Sequence, residues 1–378
     1  MTFHTSSGSP EKLIHRVTVP RFLNFVRLIL LQLVVAVVYG RLPLDSHSRG
    51  SYILDIGPRL IMVWTSCSML VVTLLDAVNY RSSIEIFKKI HAIDGWFQRL
   101  KANPEHSLHQ NAIIRALVIL LLISVVLHSV TFAFFVVEIG HVGSVLLLTT
   151  CGLVFNTSFT LIFCSYLVRS YLIGTRFELV NRIISLRFVT SNRRRFIWTK
   201  ELVLNRSNEL ELVSKLADIH AGLADIVDLL GETQWFQTIL LSVNVIGFTT
   251  FNIFSSLRAV FSGERYLLFM STQTTLWSLF YLVLFIALIF RSFLLGSEAK
   301  RTAVLIYKVL NNTKDERLLM ILRYFARQIQ DRPVEVRFKA YDGNLPVLLS
   351  AMGTIGTYLV ILIQFDGMTL AKEIPGSE

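Results

Sequence analysis

Cysteine is nearly missing from this chain: 378 residues hold three, Cys67, Cys151 and Cys164. All three fall inside apolar stretches, so no pair can staple outer loops and no metal-ligand spacing appears. They read as small buried residues. Charge is scarce as well, at 17% of residues. Catalytic patterns are also lacking. There is no glycine-rich phosphate loop, no Ser elbow and no His-Glu-x-x-His, and the nine histidines are scattered. Neither an enzyme nor a bound cofactor or metal is expected. The first apolar run lacks a small-residue cleavage site, so it is expected to stay as a span.

Apolar residues fill the space left by charge. They make up 53% of the chain, with 27 Phe. Windows of roughly 18 nearly uncharged residues recur, the length that crosses a bilayer core of about 30 Å. The expected fold is all-α, a polytopic membrane protein with seven transmembrane helices. Helices are required because unpaired backbone groups cannot face lipid, and no alternating barrel pattern is present. The expected spans are 22–39, 53–78, 113–137, 142–168, 236–257, 266–290 and 345–365. Residues 1–21 form an N-terminal segment and 366–378 a C-terminal tail. Between the spans, 169–235 is a loop with amphipathic helices and 291–344 a helical base.

The formal charge of +11 could suggest nucleic acid, but the basic residues lie between the spans. Twenty-nine of the 37 Lys and Arg residues fall in the N-terminal segment and the 2–3, 4–5 and 6–7 loops. Five fall in the other loops and the tail, and three lie within spans. The positive-inside rule places the N-terminus in the cytoplasm and the C-terminus outside. G-protein-coupled receptors have the reverse orientation. Their acidic-Arg-Tyr and Asn-Pro-x-x-Tyr motifs are also missing here, so that class is excluded.

The inner loops carry helical stripes. Leu210, Val213, Leu216, Leu223, Val227 and Leu230 recur on one face, with His220 filling one step. Val304, Tyr307 and Leu310 form a second stripe, followed by Leu318, Leu322, Phe325 and Ile329. Such stripes mark amphipathic helices with one buried face, and spans 4, 5 and 6 are expected to continue into a cytoplasmic helical base. Arg193-Arg194-Arg195 reads as a solvated loop near anionic lipid. His128, in span 3, is expected to pack with a partner on a neighbouring helix.

The last span carries Thr354, Thr357, Ile361 and Gln364 on one stripe. A glutamine facing lipid is costly, so this stripe should face protein or water. Helix packing and a pore wall both satisfy that condition. Thr357-Tyr358, five apolar residues and Gln364-Phe365 resemble the Thr-Tyr-(apolar)5-Gln-Phe signature of insect gustatory receptors. The preceding Phe338-Lys339-Ala340-Tyr341-Asp342-Gly343 follows that family's Phe-x-Ala-x-Gly approach only loosely.

The resemblance implies a tetrameric, ligand-gated, non-selective cation channel in the plasma membrane, either a homotetramer or a heterotetramer with related receptors. It implies a pore lined by span 7, with Ile361 as a hydrophobic gate and Gln364 beside it. The outer halves of spans 2–6 supply candidate pocket residues: Trp64, His128, Thr131, Phe135, Thr149, Asn252, Gln273 and Trp277. Aromatic walls with a few polar groups suit a small, mostly neutral tastant, bitter ahead of sugar. Asp366, after Phe365, is expected at the extracellular end of the pore helix, where four copies in water would ring the exit and raise the local cation concentration. A transporter and a non-conducting ligand-binding membrane protein remain as alternatives, although no internal repeat favours the transporter.

Overall fold

The computed structural model describes residues 52–100, 106–139, 142–189, 209–262 and 265–373. The expected first span and the arginine cluster 193–195 lie outside the described residues. The helices are α1 (Tyr52–Val78), α2 (Tyr80–Arg99), α3 (His106–Ile139), α4 (Val142–Ile184), α5 (Glu209–Ser262), α6 (Arg265–Asn312), α7 (Glu316–Asp331) and α8 (Leu345–Glu373). Among the described residues no strand forms; a lone antiparallel bridge pairs Arg337 with Asp342. Among the described residues five helices are long and apolar enough to cross a membrane, or six if Val63–Val78 and Tyr80–Arg99 form one span.

The chain divides into two compact units: Met1–Val78, Leu127–Phe159 and Gln364–Glu378 in the first, Asn79–Val126 and Thr160–Ile363 in the second. In the first unit three hydroxyl-bearing residues of α1 are satisfied by their own helix. Thr65, Ser68 and Thr73 each donate to the carbonyl one turn back, at 2.6, 2.8 and 2.8 Å. Such back-bonding removes an orphan donor from an apolar setting. His128 is buried, and its Nε2 lies 3.5 Å from Asn156 Nδ2 on α4. The expected partner on a neighbouring helix is present.

The second unit holds a helical base. α4 runs without a break past its apolar span to Ile184 and ends in a π-helical turn, Ser185–Val189. α5 begins well before its span, with Glu209 and Glu211 in the first turn, where the helix dipole favours negative charge. Its stripe is buried as expected, including Val213, Leu216, Leu223, Val227 and Leu230. α7 starts at the N-cap Asp315, whose carboxylate accepts from Arg317 N at 3.0 Å. It buries Leu318, Leu322, Phe325 and Ile329. α5 packs on α6, and α7 packs on both.

One stripe is corrected. Val304 and Tyr307 are 54% and 41% exposed, while Leu305, Ile306 and Val309 are buried. Apolar residues occur on both sides of this part of α6, and tertiary packing selected the other side. α2 was not expected at all. Its Ile86, Ile90, Ile93 and Phe97 recur at helical spacing and are buried, and α2 packs on α5. Asn79, in the one-residue break after α1, donates from Nδ2 to the Thr233 carbonyl at 2.8 Å and so ties the start of α2 to α5.

Polar pins lock the base. Arg176 on α4 makes a bidentate pair with Asp94 on α2, Nε to Oδ1 at 3.0 Å and Nη2 to Oδ2 at 2.8 Å. Both side chains are buried, and Arg176 Nη1 also reaches the Leu172 carbonyl and Thr175 Oγ1. That full set of donors is what allows a charge to sit out of water. Asn181 bridges α4 and α6, donating to the Glu298 carbonyl at 2.8 Å and accepting from Thr302 at 2.7 Å.

Candidate functional site

α8 is a continuous helix in which very little is covered. Of an 18-residue apolar stretch within Leu345–Asp366 only 6% is buried, against 50% for the corresponding stretch of α5 and 44% for that of α6. Thr354 and Thr357 donate to the carbonyls of Ser350 and Gly353 at 2.9 Å each, so neither hydroxyl needs an outside partner. Ile361 is 37% exposed, Tyr358 and Phe365 are each 56% exposed, and Gln364 is exposed. The amide of Gln364 is the polar group on the stripe that its own helix does not satisfy. Asp366 departs from expectation: it is 5% exposed rather than solvated. It also has an interaction partner, which accounts for a carboxylate at a buried position.

Before α8 the chain makes a tight hairpin that was not legible in the sequence. Phe338 N donates to the Tyr341 carbonyl at 2.9 Å and Gly343 N to the Val336 carbonyl at 2.8 Å. Lys339 takes a left-handed φ of 47° at the tip, a strain the surrounding contacts must hold. Its ammonium lies 4.8 Å from the centre of the Trp235 ring. Two glycines allow the hairpin to approach. A Cβ on Gly231 of α5 would meet the Arg337 carbonyl oxygen at 2.6 Å, and one on Gly343 would meet Ser292 Cβ at 2.6 Å. Neither position has room for alanine.

Aromatic residues fill the joint. Phe338 is fully buried between Tyr166 of α4 and Tyr341 of the hairpin, with ring centres 5.7 and 5.3 Å away. Tyr166 OH lies 2.5 Å from Ser292 Oγ on α6, and Tyr341 OH 2.8 Å from Ser242 Oγ on α5. Burial pushes the Tyr341 phenol up to about 12, against a smaller downward pull from the Ser242 hydrogen bond. It is a protonated donor at every physiological pH.

The eight candidate pocket residues divide between the two units. Trp64, His128, Thr131 and Thr149 belong to the first. Trp64 is 51% exposed, and Thr131 donates to the Leu127 carbonyl at 2.8 Å. Phe135 is also in its range, but its side chain lies outside the described residues. Asn252, Gln273 and Trp277 are buried in the second unit, on α5 and α6. There Trp277 stacks on Tyr281 at 5.9 Å and meets Phe280 edge-on at 5.8 Å. Polar pairs cross the same seam: Thr249 with Ser278 at 3.1 Å, and Ser256 with Thr275 at 2.7 Å. Asn252 Nδ2 is buried without a hydrogen-bond partner. Among the described residues no cluster of His, Cys, Asp or Glu is placed to hold a metal ion; of the two cysteines whose side chains are described, both free, Cys164 is buried as expected and Cys67 is exposed.

Comparison with known proteins gives this geometry a context. A family model described as 7tm chemosensory receptor matches residues 1–369. No curated protein matches the chain by sequence. Among solved structures, the insect olfactory receptor OR5 from Machilis hrabei is similar in fold. The TM-score is 0.63 at 10% identity, covering 96% of this chain and 93% of that one. The same receptor in complex with eugenol gives a TM-score of 0.55 at 13% identity, with the same coverage.

Proposed function

The chain belongs to the 7tm chemosensory receptor family, a multi-pass membrane protein and not an enzyme, and from that premise we propose that it is a gustatory-type receptor working as a ligand-gated, non-selective cation channel in the plasma membrane. The observation that carries this reading is the bareness of α8. α3 is nearly as bare, with 11% of its apolar stretch covered, but α8 also presents the exposed amide of Gln364 and so needs a partner that brings both protein contact and water. Related copies assembled around a pore supply both. Lipid supplies neither for the amide.

In such an assembly, Thr354, Thr357 and Ile361 line the conduction path, with Tyr358 and Phe365 on flanking faces. Ile361 closes the path by dewetting, and Gln364 marks the polar side of the constriction. The assembly is a homotetramer or a heterotetramer with related receptors. The base faces the cytoplasm, consistent with the concentration of basic residues in its loops.

Ligand chemistry follows from the seam between α5 and α6. Trp277, Tyr281 and Phe280 form an aromatic wall on α6, and on α5, which packs against it, Asn252 has a buried Nδ2 without a hydrogen-bond partner. That combination suits a small neutral molecule carrying an acceptor oxygen, with bitter compounds ahead of sugars. The OR5 structure with eugenol is of a receptor of this fold holding a neutral phenol.

The test is direct. The purified protein in planar bilayers, exposed to a panel of neutral aromatic and terpenoid compounds, should give cation currents with a defined unit conductance. Ile361→Ser should conduct without any compound. A folded protein that binds a compound but never conducts would leave a non-conducting receptor, and substrate flux without channel steps would indicate a transporter.

A further inference from the structure

The hydroxyls at the joint form two directed hydrogen-bond chains. A serine hydroxyl has one proton, and Ser292 gives its proton to the Leu288 carbonyl at 2.9 Å. At 2.5 Å, Tyr166 must therefore be the donor to Ser292. Ser242 likewise donates to the Thr238 carbonyl at 2.7 Å, so Tyr341 donates to Ser242 at 2.8 Å. Phe338 joins the two phenols through its ring contacts. Gly343 closes the loop, since only its missing Cβ lets the hairpin lie against Ser292.

The members come from α4, α5, α6 and the hairpin, and the hairpin leads through Asn344 straight into α8. α5 and α6 also carry the seam of Asn252 and Trp277. Any sliding of α5 against α6 therefore changes the distance between Ser242 and Ser292, and the hairpin is hydrogen-bonded or packed against both. We propose that Tyr166, Ser292, Tyr341 and Ser242 are positioning residues for gating, which convert relative movement of α5 and α6 into displacement of the start of α8. The inference rests on the channel reading above.

Simple packing would not require this chemistry. Phenylalanine fills nearly the volume of tyrosine, and each serine would still be satisfied by its own helix carbonyl. Tyr→Phe thus removes one cross-link and leaves no buried orphan, which makes it a clean probe. A purely space-filling role predicts no change in gating from that substitution.

The experiment is single-channel recording of the full-length receptor in planar bilayers with no compound added, for wild type, Tyr166→Phe, Tyr341→Phe and the double variant. Tyr324→Phe, at an exposed tyrosine of α7, serves as the control. Tyr166→Phe and Tyr341→Phe should each change the open fraction at least three-fold and in the same direction, with unit conductance unaltered. The double variant should go no further than the larger single change, because both chains act on the one hairpin through Phe338. If one variant fails to fold, the other alone carries the comparison. Single variants that gate like wild type, that shift in opposite directions, or whose effects multiply in the double overturn the coupling while the channel stands. A wild type that folds and carries no current under the compound panel overturns the channel reading, and the coupling with it.

Discussion

The base and α8 are built from similarly apolar helices, yet half of α5's apolar stretch is buried and only 6% of α8's is. In the base, the buried charge of Arg176 is tolerated because it is matched: it finds two carboxylate oxygens, a carbonyl and a hydroxyl. Along α8 there is no charge on the exposed stripe, and the threonines turn back on their own helix. The base is finished within one chain. α8 is left bare by its own chain, so under the proposed channel reading substitutions in the base should act on folding and substitutions in α8 on conduction.

That division can be broken most forcefully at Asp94. Asp94→Ala leaves Arg176 buried and unpaired, and should cost about 3–5 kcal/mol. Thermal unfolding in detergent should show a large loss, and Asp94→Leu combined with Arg176→Met should recover much of it. Recovery would show that matching of the charges, rather than charge itself, holds the base.

Acid offers a graded version. His220 is 2% exposed, wedged between Phe177 and Phe325 at 5.1 and 5.7 Å, with Nε2 unpaired. Burial lowers its pKa to about 4, only partly countered by its bond to the Ala299 carbonyl. The folded base therefore holds neutral imidazole, whereas the unfolded chain binds a proton near the ordinary pKa of about 6.5. The stabilising contribution is complete above that value and is lost as pH falls toward 4, amounting to about 3 kcal/mol. Melting temperature recorded between pH 7 and 4 should fall, and His220→Leu should flatten the part of the slope due to this residue.

Ile361→Ser sharpens the contrast from the other side. It should alter unfolding by less than about 1 kcal/mol, since the site is exposed within the chain, yet raise resting current in bilayers. The smallest effect belongs to Arg332, which pairs with Asp225 at 2.5 Å and with Asp228 across the surface of the base. All three side chains are about half exposed. Arg332→Ala should therefore cost under about 1 kcal/mol by denaturant titration, several-fold less than Asp94→Ala, despite involving two carboxylates.

Much of this was legible in advance where one helix decides the outcome. The stripe of α5 from Leu210 to Leu230, the face of α7 and the helical pitch of the Thr354–Gln364 stripe depend on periodicity alone. Legibility failed where the decision belonged to another element. Val304 and Tyr307 lost to Leu305 and Ile306 because α6 had two apolar sides and its neighbours chose one. Asp94 and Arg176 carry no local mark of each other, being far apart in the chain. α2 had a readable stripe, but its charged residues made it look like a loop. The hairpin is invisible to periodicity because its turn rests on long-range contacts, and the candidate pocket divided between two units for the same reason.

Gly231 has a consequence for how such a receptor varies. It sits on α5, far in sequence from the pore signature, and a single methyl there would meet the Arg337 carbonyl at 2.6 Å. Under the function proposed above, an inherited Gly231→Ala allele would silence the receptor without touching a proposed pocket or pore residue. Surveys that seek the origin of lost sensitivity only among pocket residues would pass over it. The heritable vocabulary of this receptor therefore includes the fit of its backbone at the joint as well as the chemistry of what it binds.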